Sequence, residues 1–137
     1  MRMLSAIAII LAGAGAAICG EAEIKAAQGS IDAQLRAFQA GDNDSAYSYA
    51  APNIKRIFPT VDAFMGMVAN GYQPVAKPKS FSFGESNEPA AGLVAQEVLI
   101  VGPDGKDYRA LYTLELQPDG TYRITGVSLK AENTLAT

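Results

Sequence analysis

Residues 91–130 read AGLVAQEVLIVGPDGKDYRALYTLELQPDGTYRITGVSLK. Two near-copies of one punctuation mark divide this stretch: Gly102-Pro103-Asp104-Gly105 and Gln117-Pro118-Asp119-Gly120. Proline presets φ for the second position of a type I turn. Aspartate bonds back to the turn backbone, and the closing glycine takes a left-handed conformation without strain. The flanks are rich in Val, Ile, Leu, Tyr and Thr, residues suited to a pleated, half-buried surface. The stretch therefore predicts strands over 91–101, 106–116 and 122–130, joined as an antiparallel meander.

Register follows from the turns. The first pairs Ile100 with Tyr108, Val98 with Ala110, Gln96 with Tyr112 and Val94 with Leu114. The second, read as an unbroken ladder, pairs Leu114 with Ile124, Tyr112 with Gly126 and Ala110 with Ser128. Val94, Val98, Ile100, Ala110, Leu114 and Ile124 then share the inner face, and a one-residue slip would mix them with Glu97 and Arg123. On the outer face Glu115 meets Arg123 and Thr113 meets Thr125, both favourable cross-strand pairs.

Working back from the sheet, the period changes. Over residues 23–40, Ile24, Ala27, Ile31, Leu35 and Phe38 recur at three- and four-residue steps, the mark of a helix with one apolar face. Gly41 ends it. Asp42-Asn43-Asp44 supplies cap oxygens for a short helix through Tyr47 and Ala50, Pro52 opens another over 53–58, and Thr60 caps a fourth over 61–70. Asp62 suits the first turn of that fourth helix. Residues 72–77 and 79–84, punctuated by Pro74 and Pro78, read as extended. Helices first and a meander after give an α+β fold, with N-terminal helices packed on a curved antiparallel sheet in a cone-shaped roll.

The first residues have a different purpose. Met1-Arg2-Met3 is followed by an uncharged run, LSAIAIILAGAGAAI, of the length of a signal-peptide core and short for a membrane span. The expected organisation is a signal peptide over 1–22, one domain over 23–131 and a flexible tail over 132–137. Cleavage is expected after Ala22, with Ala14-Gly15-Ala16 as a second choice. The mature chain would be periplasmic or secreted, without a membrane span. Cys19, behind the apolar run, offers lipid anchoring as an alternative, although Ile18 stands where such sites want a small residue. The chain length of 137 residues leaves room for one domain.

Composition excludes several chemistries. The net charge of −3 provides no basic surface for nucleic acid. With no histidine there is no Ser-His-Asp triad and no histidine-based zinc site. Cleavage after Ala22 would also remove Cys19, the one cysteine, and with it any thiolate ligand or nucleophile. No metal, no cofactor and no catalytic residue is expected.

The motifs resemble one family. A helix with AF and an acidic GDND, then AYSYAAPNIKRIF, FMGMVANGYQPVAKP and a closing YRITGV are similar to the domain-of-unknown-function 4864 family of small exported bacterial proteins. The likeness spans residues 24–130 and is densest over 67–78. Tyr122 stands where the family often has tryptophan, and Lys77 where it often has arginine. The resemblance implies export and a roll similar to the nuclear transport factor 2-like (cystatin-like) superfamily. It brings no activity to transfer.

Two groups of residues stand out on this reading. The inner row Gln96, Tyr112 and Gly126, with Tyr72 at the mouth, is the candidate site for a small apolar or amphipathic ligand. The same groups also suit plain structural bonding to nearby carbonyls. On the outer, convex face Leu99, Leu111, Val127 and Leu129 form a candidate homodimer patch. The expected function is a non-catalytic periplasmic binding or accessory module. The alternatives are an envelope interaction protein with a filled cone, and a tyrosine–carboxylate enzyme of ketosteroid-isomerase-like type. Glu97 and Glu115 face outward in this register, which argues against the enzyme.

Overall fold

A computed structural model of the chain describes residues 4–132, with side chains from residue 20 onward. Five helices, α1 (Leu4–Ala40), α2 (Asn43–Ser48), α3 (Pro52–Ile57), α4 (Val61–Gly71) and α5 (Gln73–Ala76), precede four strands. The strands are β1 (Ser80–Ala90), β2 (Leu93–Val101), β3 (Asp107–Leu116) and β4 (Tyr122–Ala131). They form one antiparallel sheet in the order β1-β2-β3-β4, so the fold is α+β with helices leading, as expected.

The helix boundaries follow their caps. The Asp42 carboxylate accepts from Ser45 N at 3.2 Å and the Thr60 hydroxyl from Ala63 N at 3.1 Å. Gly41 closes α1 with φ 74°. Residues 73–76 are helical rather than extended. Pro74 lies in the first turn of α5, where its missing N–H is no loss and its fixed φ suits the helix. Residues 91–92 are also a turn rather than strand: Gly92 has φ 80°, and Ala90 pairs with Leu93.

Both Pro-Asp-Gly turns form as read, with φ 80° at Gly105 and 88° at Gly120. In each the aspartate accepts from the amide two residues on, Lys106 N and Thr121 N, both at 3.0 Å. The β2–β3 register agrees with the expectation pair for pair. The β3–β4 register agrees from Leu116 opposite Tyr122 to Leu114 opposite Ile124, and then shifts by one. Thr113 faces Gly126, so Thr125 is an extra residue: a β-bulge. The Thr125 hydroxyl donates back to the Thr113 carbonyl at 3.0 Å.

The bulge corrects the expected faces of β4. Val127 now pairs with Tyr112 and Leu129 with Ala110, both on the inner face, where they pack against the core. Ser128 and Lys130 turn outward instead. The gain is apolar burial on one side and solvation of two polar side chains on the other.

α1 lies across the inner face. Ala27, Ile31, Leu35 and Phe38 are buried against Val94, Val98, Ala110, Leu114 and Ile124. Polar ties fix its angle: the Ser30 hydroxyl donates to Tyr122 O at 2.7 Å and the Gln39 amide to Pro78 O at 3.0 Å. At the opposite edge, residues 49–51 dock on β4. Ala51 N donates to Ile124 O at 2.8 Å and Ile124 N to Tyr49 O at 2.9 Å. This covers part of an otherwise open strand edge. The expected tail is tied at its first residue, since Glu132 bonds Asp107 O through its amide and Arg109 through its carboxylate. Residues 133–137 and 1–3 lie outside the described residues, as does the side chain of Cys19. Among the described residues no helix is long and apolar enough to cross a membrane.

Candidate functional site

The inner row begins with Gln96 and Tyr112, which face each other across β2 and β3 as expected and are both 0 % exposed. Neither lines the cavity described below. β1 carries its own bulge between Phe83 and Ser86, which turns the Gly84 and Glu85 carbonyls out of the ladder. Gln96 Nε2 donates to Glu97 O at 2.7 Å, Gly84 O at 3.2 Å and Glu85 O at 3.3 Å. Its Oε1 accepts from Gln28 Nε2 of α1 at 3.0 Å. Every polar atom of Gln96 is engaged, so it acts as a brace between a bulge and a helix. A Cβ built on Gly84 would meet the Glu97 carboxylate, which would have to move aside.

The Tyr112 hydroxyl is sealed without a hydrogen-bond partner among the described residues. Burial pushes its ionisation above the ordinary tyrosine range. Gly126 faces Thr113 instead of Tyr112, and a Cβ built on it would point at the Thr113 hydroxyl, 3.2 Å away. A side chain at this position would grow toward the outer face.

A cavity of about 260 Å³ lies further along the sheet, between helices and β4. α1 contributes Gln34 and Phe38. α3 contributes Ile54, and Phe58 follows at its C-terminal end. Phe64 and Val68 come from α4, Tyr72 from the α4–α5 junction, and Ile124 and Val127 from β4. The β4 bulge helps place this wall: the Asn53 amide of α3 donates to Thr125 O, the bulged residue, at 3.1 Å. The Tyr47 hydroxyl donates to Phe58 O at 2.6 Å and ties α2 to the end of α3. Its ring meets Phe64 at 5.2 Å, and Phe64 stacks on Phe38 at 6.3 Å.

The four residues first singled out therefore separate. Tyr72 lines the cavity with its side chain half-buried, and its amide also ends α4 by bonding Val68 O at 2.8 Å. Gly126 lines it too, while Gln96 and Tyr112 do not. Val127, read from sequence as part of an outer patch, is a wall of the cavity. Gln34 was not singled out. It lies between Ile31 and Phe38 at helical spacing, a polar residue on an apolar face, and it is 3 % exposed.

No carboxylate, ammonium or guanidinium side chain lines this cavity, and its polar side chains are Gln34 and the phenol of Tyr72. The carboxylates lie elsewhere. On the outer face Arg109 pairs with Glu97 and Glu132 and holds both carboxyls below their usual range. Near the middle of α1, Glu23 lies within hydrogen-bonding reach of Glu88. Glu23 is lowered by this contact and Glu88 raised, and the Tyr122 hydroxyl donates to Glu23 at 3.0 Å.

The expected outer patch is smaller than read. Leu99 is 38 % and Leu111 46 % exposed, while Val127 and Leu129 have moved inside. Leu99 faces Arg109, and Leu111 faces Glu97 and Ser128, so the ion pairs break up its centre.

The family model of a domain of unknown function (DUF4864) matches residues 21–137. No curated protein and no solved structure matches the chain.

Proposed function

Because the chain belongs to the DUF4864 family, whose description assigns no chemistry, we propose its function from its cavity: a non-catalytic module that binds a small, uncharged, mainly apolar ligand. The observation that carries this reading is an apolar cavity of about 260 Å³ whose walls hold two polar side chains and no charge. Ligand pockets characteristically combine such walls with a few polar groups that fix orientation. A closed apolar cavity of about 150 Å³ takes benzene, so this one has room for a substituted ring or a branched chain. A tyrosine–carboxylate enzyme would need a carboxylate in contact with the ligand, and the cavity walls offer none.

The site of action in this proposal is the periplasm or the exterior. It rests on the charged start, apolar run and small residues before Ala22. Likeness to the nuclear transport factor 2-like roll is an analogy of element order and adds no activity.

Native mass spectrometry of protein recovered from its own cell envelope tests both parts. The expected spectrum has a polypeptide mass beginning at Glu23 and a small neutral adduct, and Val127→Phe, which fills the cavity, removes the adduct. A mass retaining the first 22 residues would refute export with cleavage. Adduct retention in Val127→Phe would refute this cavity as the site.

A further inference from the structure

Resting on that binding reading, we infer that the ligand carries a hydroxyl or N–H group, which donates a hydrogen bond to Gln34 Oε1. Gln34 is set in α1 among Ile31, Leu35 and Phe38, and its side chain enters the cavity wall. Its Nε2 donates to the Ala46 carbonyl of α2 at 3.0 Å. A carbonyl only accepts, so the amide has one orientation: nitrogen toward Ala46, oxygen away from it. That oxygen accepts no hydrogen bond among the described residues. It is also not one of the sealed orphan atoms, which are Asn53 Oδ1 and Tyr112 OH, so it still meets open space.

A fixed acceptor in an uncharged, mainly apolar cavity, with the Tyr72 hydroxyl as its other polar side-chain group, selects by chemistry. A ligand without a donor leaves Oε1 facing hydrocarbon. A carboxylate or phosphate would bring a charge to walls that hold no cation, and would set its oxygens against this one. A neutral molecule with an apolar body and one donor satisfies both requirements. The class is a phenol, an alcohol or an amine-free amide of modest size. Gln34 is thus the specificity-determining residue, and its amide is held ready by α2 before the ligand arrives.

The test uses toluene, 4-methylphenol, 4-methylanisole and 4-methylbenzoate as probes, with affinities from ligand-observed NMR titration of the purified protein. In wild type, toluene and 4-methylphenol bind. 4-Methylanisole, with the donor capped, and 4-methylbenzoate, with a charge, bind at least tenfold more weakly than 4-methylphenol. In Gln34→Met the preference for 4-methylphenol over toluene falls at least tenfold. Toluene binding with no 4-methylphenol binding in wild type would overturn the donor requirement and leave the binding module standing. Equal affinities for 4-methylphenol and 4-methylanisole would do the same, without relying on the variant. Failure of every probe to bind would overturn both.

Discussion

Replacing Gln96 by leucine separates a structural brace from a ligand contact. The side chain is fully buried and its Nε2 is shared among three carbonyls, while its Oε1 accepts from Gln28. Leucine of similar volume loses two N–H donations and one accepted bond, at about 1 kcal/mol net each. It also strands bulge carbonyls that Gln96 satisfied. Gly84 is half-buried and Glu85 exposed, so water recovers part of that loss and about 1 kcal/mol remains. Burying leucine contributes about 2 kcal/mol in the other direction. The balance is a destabilisation of about 2 kcal/mol. For a domain of this size that lowers Tm by about 8 °C. Urea titration followed by circular dichroism gives the free energy, and toluene titration of the same variant gives the affinity, which should match wild type. A stability within 0.5 kcal/mol of wild type, or a lost affinity with stability unchanged, would refute the reasoning.

Other outcomes follow from the same contacts. Tyr112→Phe removes a sealed hydroxyl that has no partner among the described residues, and should raise stability by about 1 kcal/mol; a loss of that size in urea titration would show that the hydroxyl is bonded after all. Burial raises the ionisation of both Tyr112 and Tyr122, the latter to about 12, against an ordinary value of 10.0. The unfolded chain then loses its tyrosine protons first, so stability is intact below pH 10 and falls as pH climbs toward 12; thermal melts that stay level across that window would contradict it. Val127→Asp should lose about 3 kcal/mol and Ser128→Asp less than 0.5, because the bulge puts the first inside and the second outside; the reverse ranking in denaturation would restore the unbroken ladder. With its patch reduced to Leu99 and Leu111 around ion pairs, the protein should sediment as a monomer at tens of micromolar, a range that reveals weak association; a dimer there, dissociated by Leu111→Glu, would show the outer face to be an interface.

The sequence carried more of the fold than of the site. Turn chemistry is local, and Asp104 and Asp119 bond amides two residues away, so both hairpins and the whole β2–β3 register were legible. The Thr125 bulge was legible in principle. Tyr122 and Ile124 are inward at even positions, whereas the next apolar pair, Val127 and Leu129, is at odd positions. That change of phase is the mark of one extra residue. Reading Gly126 as space beside Tyr112 kept the ladder unbroken and put two core residues outside.

Pro74 misled in a similar way, because a proline that breaks a helix interior also suits its first turn. Gln34 left a trace as a polar residue on an apolar helical face. Its partner, the Ala46 carbonyl, and the space around its oxygen exist only once α2 has docked. The cavity itself is a property of packing among four helices and a strand, and no residue type announces it.

The claim on which the functional account depends is that the space between Phe38, Phe64 and Val127 is open and apolar in the folded protein. A crystal pressurised with xenon tests it directly, since xenon occupies dry apolar cavities. The account predicts anomalous density for xenon within van der Waals reach of those three side chains, in wild type and not in Val127→Phe. Side chains closed over the space, with no xenon there, would contradict it.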